Sequence, residues 1–318
     1  MMRTPWQQWM APIAIFIVFR GLDNTVLKVL QLHGANNAVN GVNPVSFCNV
    51  FFFVQLISGV TFLISGRRDL RVRIASLSRN DRHLLMSDAF LGRFLGPVAY
   101  YFALDALSVI TQTLIFALIL PVSALMARWI LREPLPQAFA TSVLLISSGL
   151  LLHQLGQMAA IGHQNTLVGV GWALVGVMAF SGAALTGRTV AGRHLSASLS
   201  IGVGATTSAL VFGLLAILLF GPEHFLLLQI WWVLGVLLLY SLTLSLGSEL
   251  ALRMAYRQTS VATVSLLGSL SIVIAVTSAA LLLNESIHPG TTIGVMLLLT
   301  GVMLSNQRTN PNQPLGGY

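Results

Sequence analysis

The stretch FIVFRGLDNTVLKVL, residues 16–30, reads as the middle of an apolar helix, yet it carries Arg20, Asp23, Asn24 and Lys28. Positions 20, 24 and 28 fall on one helical stripe, with Asp23 beside Arg20 at i+3. A helix starting near Ala11 and rising about 1.5 Å per residue puts Arg20 about 13 Å in, near the middle of a hydrocarbon layer of about 30 Å. Even the lower estimates make arginine there about 2.5–3.5 kcal/mol unfavourable, so the side chain is expected to face protein or a wet cavity. Two chemistries fit: a substrate or ion site, or an Arg20–Asp23 pair that locks the helix to a neighbour. Lys28 is the only lysine in the chain. It lies nearer the outer interface, where a snorkelling ammonium competes with a binding role.

Further candidates lie downstream. Asp88, Arg93 and the run GPVAYY, which ends in Tyr101, share one segment; Tyr240 and Glu249 share another. Arg93 sits a turn or two inside the surface, within reach of water, and Arg253 at i+4 offers Glu249 a local partner. Tyr101 and Trp172 suit either an aromatic cavity wall or packing. Gly92-x-x-x-Gly96 and Pro97 suit close packing and a bend. His33, His153, His163, His224 and His288 fall in or beside expected external loops, but their spacing matches no metal motif. Cys48 reads as a small apolar side chain. The chain has no GxxxxGK[ST], HExxH or GxSxG, so neither an ATP-driven pump nor a familiar hydrolase is supported. No cofactor or metal is expected, and the protein is not read as an enzyme.

The elements that position these groups follow from composition. Of 318 residues, 55% are hydrophobic and 8% charged, against about 25% charged in soluble domains. Apolar runs of about 20 residues recur, enough to cross a bilayer as helices. Ten spans are expected, near 11–32, 44–65, 85–104, 107–129, 137–155, 166–187, 197–220, 228–251, 258–283 and 289–306. Arg3, the crowd from Arg67 to Arg82, then Arg128, Arg132, Arg188, Arg193, Arg253, Arg257 and Arg308 all fall on one side of this alternation. The opposite connections, HGANNAVNGVN, LDAL, HQLGQMAAIGHQN, FGPEHF and LNESIHP, hold no lysine or arginine. The arginine side is therefore expected to be cytoplasmic, with both termini there. The net charge of +8 belongs to these loops and not to a nucleic-acid surface.

Sliding the chain on itself by 152 positions aligns ALDALSVITQTLIFAL (103–118) with AYRQTSVATVSLLGSL (255–270). The correspondence runs on through Ala127 and Ala279, Leu131 and Leu283, Glu133 and Glu285, Gly149 and Gly301, and Leu152 and Leu304. Two five-helix repeats, 1–160 and 161–318, would insert with opposite orientation because five is odd. Inverted repeats suit a transporter that opens one site to either face.

The runs LPVSALMARWILREPLPQAFATSVLLISSGLLL and SAALLLNESIHPGTTIGVMLLLTGVMLS, with Pro121, Glu133, Glu285, Gly149 and Gly301, resemble the drug/metabolite transporter superfamily, in particular its EamA-type exporters. Val273 stands where the second repeat would match Pro121. The resemblance implies helices 1, 3, 4, 6, 8 and 9 around a cavity, helices 5 and 10 away from it, and Glu133 and Glu285 as loop or cap residues.

The reading is an all-α integral membrane protein that exports a small metabolite by alternating access, with the bilayer and a small solute as partners and no nucleic acid. Proton or counter-substrate coupling would use Asp23 or Glu249. An exchanger of phosphorylated sugars or nucleotide-sugars, clamped by Arg20, Lys28 and Arg93, is the alternative within transport. An intramembrane enzyme or a sensor is the alternative of another class. With no acid-poor, Ser- and Arg-rich segment before the first helix, a bacterial cytoplasmic membrane is expected.

Overall fold

Helices account for the regular structure of the computed structural model, which describes residues 5–68, 70–132, 135, 139–158, 164–193, 195–258, 264 and 267–306. Helix α1 is Pro5–Asn36, α2 Phe47–Ser65 and the short α3 Leu70–Ala75. Arg79–Ala89, a π-helical turn Phe90–Leu95 and Gly96–Ala106 run on as α4. Then come α5 Val109–Leu131, α6 Phe139–Met158, α7 Gln164–Gly192 and α8 Ser198–Phe220. After a 3₁₀ segment, Pro222–Gln229, helix α9 joins Trp231–Tyr240, a π-helical turn Ser241–Gly247 and Ser248–Gln258. Helix α10 is Ser271–Leu283 and α11 Pro289–Asn306.

Five of these, α2, α5, α8, α7 from Leu167 and α9 to Ala255, are long and apolar enough to cross a membrane. Shorter apolar stretches occupy α6, α10 and α11. Two starts differ from expectation. Helix α1 is already formed at Pro5, because proline is tolerated in a first turn, where its missing N–H has no partner to lose. Helix α4 starts at Arg79 because Ser78 caps it, its Oγ accepting from the Asp81 amide at 3.1 Å. The start of the expected span 258–283 and the residues Glu133 and His163 lie outside the described residues.

The chain forms two compact units, and neither is a sequence half. Among the described residues, the first takes those up to Val29, Phe102–Val177 and 247–306; the second takes Leu30–Tyr101 and Met178–Leu246. In the first, α6 packs on α11 through small residues. Gly149 lies against the Gly294 backbone, and Gly301 faces the Ser142 carbonyl and Ile146. Its core includes Ala103, Leu107, Ile115, Ala173 and Val177, with a further cluster of Ile13, Ala255 and Val264. In the second unit α2 packs on α8, where Gly59 meets Thr206 and Gly66 meets Ser198.

Helix α5 tightens at Ala117 and Leu118, where Leu118 N–H bonds the Ile115 carbonyl and Leu120 N–H the Ala117 carbonyl. Just before α10, Leu270 N–H bonds Leu267 and Ile272 N–H bonds Ser269 in the same pattern. Pro121 removes a donor from the first of these turns, but Val273 occupies the matching place in the second. Proline is therefore not what the tightening requires. Both helices end on a left-handed residue, Arg132 at φ 57° and Asn284 at φ 54°, whose amides return to Ala127 and Ala279.

The α6–α11 contact gives a direct test. A side chain at Gly149 collides with the Gly294 backbone, whereas Gly171 has open space around it. Gly149→Val is expected to destabilise the purified protein by about 1–3 kcal/mol, and Gly171→Ala to leave its melting temperature unchanged.

Candidate functional site

The polar stripe of α1 lies within the first unit. Arg20 Nη1 donates to Asp23 Oδ2 at 3.2 Å, with 48% of the arginine side chain and 12% of the aspartate side chain exposed. A guanidinium left half uncovered on a membrane helix needs water around it, not lipid. Asn24 Nδ2 donates to Thr113 Oγ1 on α5 at 2.8 Å, and the Thr25 and Ser278 hydroxyls lie 2.7 Å apart between α1 and α10. Gly21 lets the α1 backbone approach Ile274 of α10, where a β-carbon would have no room.

Lys28 reaches the turn between α4 and α5. Its ammonium donates to the carbonyls of Leu104, Asp105 (3.0 Å) and Leu107 (3.3 Å), the groups that a helix C-terminus leaves without partners. The next helix starts at Val109, capped by Ser108. Glu285, in the connection after α10, accepts from the amides of Val109 (2.7 Å) and Ile110 (3.0 Å), and Ser108 Oγ accepts from that of Thr111 (3.1 Å). A cation thus sits on the negative end of α4 and an anion on the positive end of α5. Left-handed Asn284 turns the chain out of α10 immediately before Glu285.

His153 lies inside α6 and is fully buried, not at a loop edge. Its Nε2 is 2.9 Å from Thr111 Oγ1 on α5, and its Nδ1 is 2.9 Å from Thr291 Oγ1 on α11. One imidazole thereby ties three helices of the first unit. Trp172 is partly buried against Phe102, with ring centroids 5.1 Å apart. Glu249 accepts from Arg253 Nε at 3.0 Å along α9.

In the second unit, Thr186 Oγ1 donates to Asp88 Oδ1 at 2.8 Å. Gln55 Nε2 donates to the Arg93 carbonyl at 3.1 Å, beside the π-helical turn that contains Arg93. Tyr101 is buried; its hydroxyl donates to the Val45 carbonyl at 2.7 Å, and its own carbonyl accepts from Gln31 at 3.1 Å. His224, in the connection before α9, is buried against the Phe220 ring at 4.4 Å, with Nε2 2.8 Å from Ser46 Oγ at the start of α2. Burial lowers its proton affinity below the ordinary imidazole range.

The structure therefore joins Arg20 to Asp23, Asn24 to α5, Lys28 to a helix end and Glu249 to Arg253. Thr113, Ser278, Thr111 and Thr291 escaped the sequence reading, since a hydroxyl in an apolar run carries no spacing signal until the facing helix is known. Among the described residues no group of three His, Cys, Asp or Glu side chains is placed to hold a metal ion.

Long apolar helices with hydrogen-bonded polar groups set along them define a polytopic membrane protein. Residues 167–307 match the EamA-like transporter family. An uncharacterized transporter of Synechocystis sp. is 24% identical over 307 residues, spanning 91% of this chain and 84% of its own. A crystal structure described only as that of a protein aligns over 92% of this chain and 98% of its own, with TM-score 0.52 and 14% identity, a likeness of fold alone. The second part of the chain is thus similar to EamA-like transporters, and the chain as a whole is similar to a transporter.

The turn at Leu107 is expected to depend on its charges. Lys28→Met leaves carbonyls without donors and should cost about 1–3 kcal/mol, seen as a lower melting temperature. Lys28→Arg should recover only part, since a planar fork fits three carbonyls around a helix end less well than an ammonium.

His224 sets the sign of an acid response. Its folded-state pKa lies below the ordinary 6.5, so its contribution is complete above that pH. It is lost as pH falls from 6.5 toward the lowered value, because the unfolded chain takes up the proton first. The drop in melting temperature from about pH 7 to about pH 5 should be smaller in His224→Gln.

Proposed function

We propose that this transporter exports a small organic solute, amino-acid-like in size, from the cytoplasm across a bacterial cytoplasmic membrane by alternating access of two inverted five-helix repeats. The repeats are 1–160 and 161–318, with ten crossings and both termini cytoplasmic. The observation that carries the reading is a backbone correspondence at the interval of 152. The turn at Leu118 has its equal at Leu270, and the end at Arg132 has its equal at Asn284. The π-helical turn Phe90–Leu95 recurs at Ser241–Gly247. The contact of Gly149 with Gly294 maps onto that of Gly301 with Ser142. Side-chain types could repeat by chance in leucine-rich helices, but matched departures from helical geometry require matched surroundings. The one-sided distribution of arginine supports the orientation.

Arg20 is the proposed contact for an anionic group of the solute, with Asp23 and Asn24 holding it on α1. The half-exposed guanidinium supports this assignment. Arg93, Tyr101 and Trp172 are proposed to contribute to solute passage from their own helices. Between the two carboxylates considered for proton coupling, Asp23 is favoured over Glu249, because Asp23 is the more deeply buried of the two beside its arginine. The phosphate-clamp alternative needs a free ammonium at Lys28, and the contacts of that group with three carbonyls weigh against it.

Uptake and counterflow in liposomes, across a panel of amino acids, sugar phosphates and organic cations with and without a pH gradient, test the reading. Arg20→Gln should reduce transport of the accepted solute at least about tenfold, or about 1.4 kcal/mol, with the melting temperature nearly unchanged. If Arg20 served only its pair with Asp23, each single change would destabilise and Arg20→Gln with Asp23→Asn would recover folding and activity together. Absence of movement for every member of the panel in the wild-type protein would count against small-solute export.

A further inference from the structure

The connection from α2 to α4 and the first turn of α4, residues 66–82, carry Arg67, Arg68, Arg71, Arg73, Arg79 and Arg82 against Asp69 and Asp81. Asp81 is already engaged, accepting from Ser78 Oγ at 2.6 Å and from Arg193 Nη1 at 2.6 Å. Arg67, Arg68, Arg79 and Arg82 are exposed, and none takes part in an ion pair among the described residues. Val72 and Ile74, on α3, are 72% and 43% exposed. Aliphatic side chains this open, set among arginines, are poorly placed for bulk water.

Helix α2 supplies the level at which they lie. This predominantly apolar helix of 19 residues spans about 28 Å at 1.5 Å per residue, close to the thickness of the hydrocarbon layer. Arg67 and Arg68, two and three residues past its last turn, therefore stand at the depth of lipid headgroups. Gly66 ends α2 tightly against Ser198, so the chain cannot swing freely away at this point.

We infer that this connection is a binding surface for anionic phospholipid, with the arginines on headgroup phosphates and Val72 dipping into the acyl boundary. Guanidinium matches a phosphodiester by two parallel hydrogen bonds, and a juxtamembrane cluster of four to eight basic residues is the pattern that recruits anionic lipid. The inference uses the reading of α2 as a membrane crossing and is independent of what is transported.

The test takes the full-length protein in uncharged detergent micelles and adds phosphatidylglycerol or phosphatidylcholine, reading bound lipid by native mass spectrometry and the melting temperature in parallel. Phosphatidylglycerol should bind and raise the melting temperature more than phosphatidylcholine does, and the difference should shrink between about 50 and about 500 mM salt. The variant Arg67→Gln, Arg68→Gln, Arg79→Gln, Arg82→Gln should bind phosphatidylglycerol at least about fivefold more weakly, with an unchanged melting temperature in lipid-free micelles. Undiminished binding in that variant overturns the inference. So does equal protection by free glycerol phosphate, which would mark a site for any anion and not a lipid surface. Should the fourfold variant fail to fold, Val72→Asn alone, at an exposed position, should still weaken phosphatidylglycerol binding, and unchanged affinity there is equally fatal. A transport panel that finds no solute leaves these measurements unaffected.

Discussion

Inside hydrocarbon there is no water to take up the free amides and carbonyls at a helix end, so the protein itself must supply every partner. The turn between α4 and α5 meets this demand with charge. Lys28 closes the carbonyl end of one helix, while Glu285 and Ser108 close the amide end of the next. Asp105 and Glu285 are opposite charges that act on Lys28. Two half-buried charges of opposite sign, each satisfying a helix end, cost less together than either would alone. This accounts for a chain that uses arginine everywhere else yet holds a single lysine. Three carbonyls around a helix end ask for a compact group with three donors, and only an ammonium offers that.

The same constraint governs the irregular backbone. Tightened turns at Leu118 and Leu270 and π-helical turns in α4 and α9 each disturb the regular ladder, yet each keeps its amides bonded within the chain. Hydroxyls complete what the ladder leaves. Thr25 with Ser278, and His153 between Thr111 and Thr291, hold helices together by polar contacts that no water can compete for. Between helices of equal apolarity, attraction comes from close approach, which explains glycines on both sides of the α6–α11 contact.

Against this background Arg20 is distinguished by its exposure. Lys28, Glu285 and His153 spend their polar atoms on the fold. Arg20 has its bond to Asp23 and still presents half of its side chain outward. Under the proposed function, this half-exposed side chain is assigned to solute passage and not to packing.

Composition, the spacing of apolar runs and the absence of lysine and arginine from alternate connections were enough to establish a helical membrane protein, because burial in lipid acts on every residue of a segment and leaves a long signal. The repeat proposed at the interval of 152 rests in sequence on many weak matches that add. Glu285 as a loop or cap residue was what the family resemblance implied. What Lys28 does was not legible, since snorkelling, binding and capping all place a lysine near a helix end, and only the arrival of α4 beside α1 decides between them. His153 was misplaced at a loop edge because polarity marks it as an outsider, and only Thr111 and Thr291, far away in sequence, make the interior acceptable to it. Local sequence determined which segments are helices; partners brought together by tertiary structure decided which of their polar groups serve the fold, because a buried polar atom is tolerated or not according to what faces it.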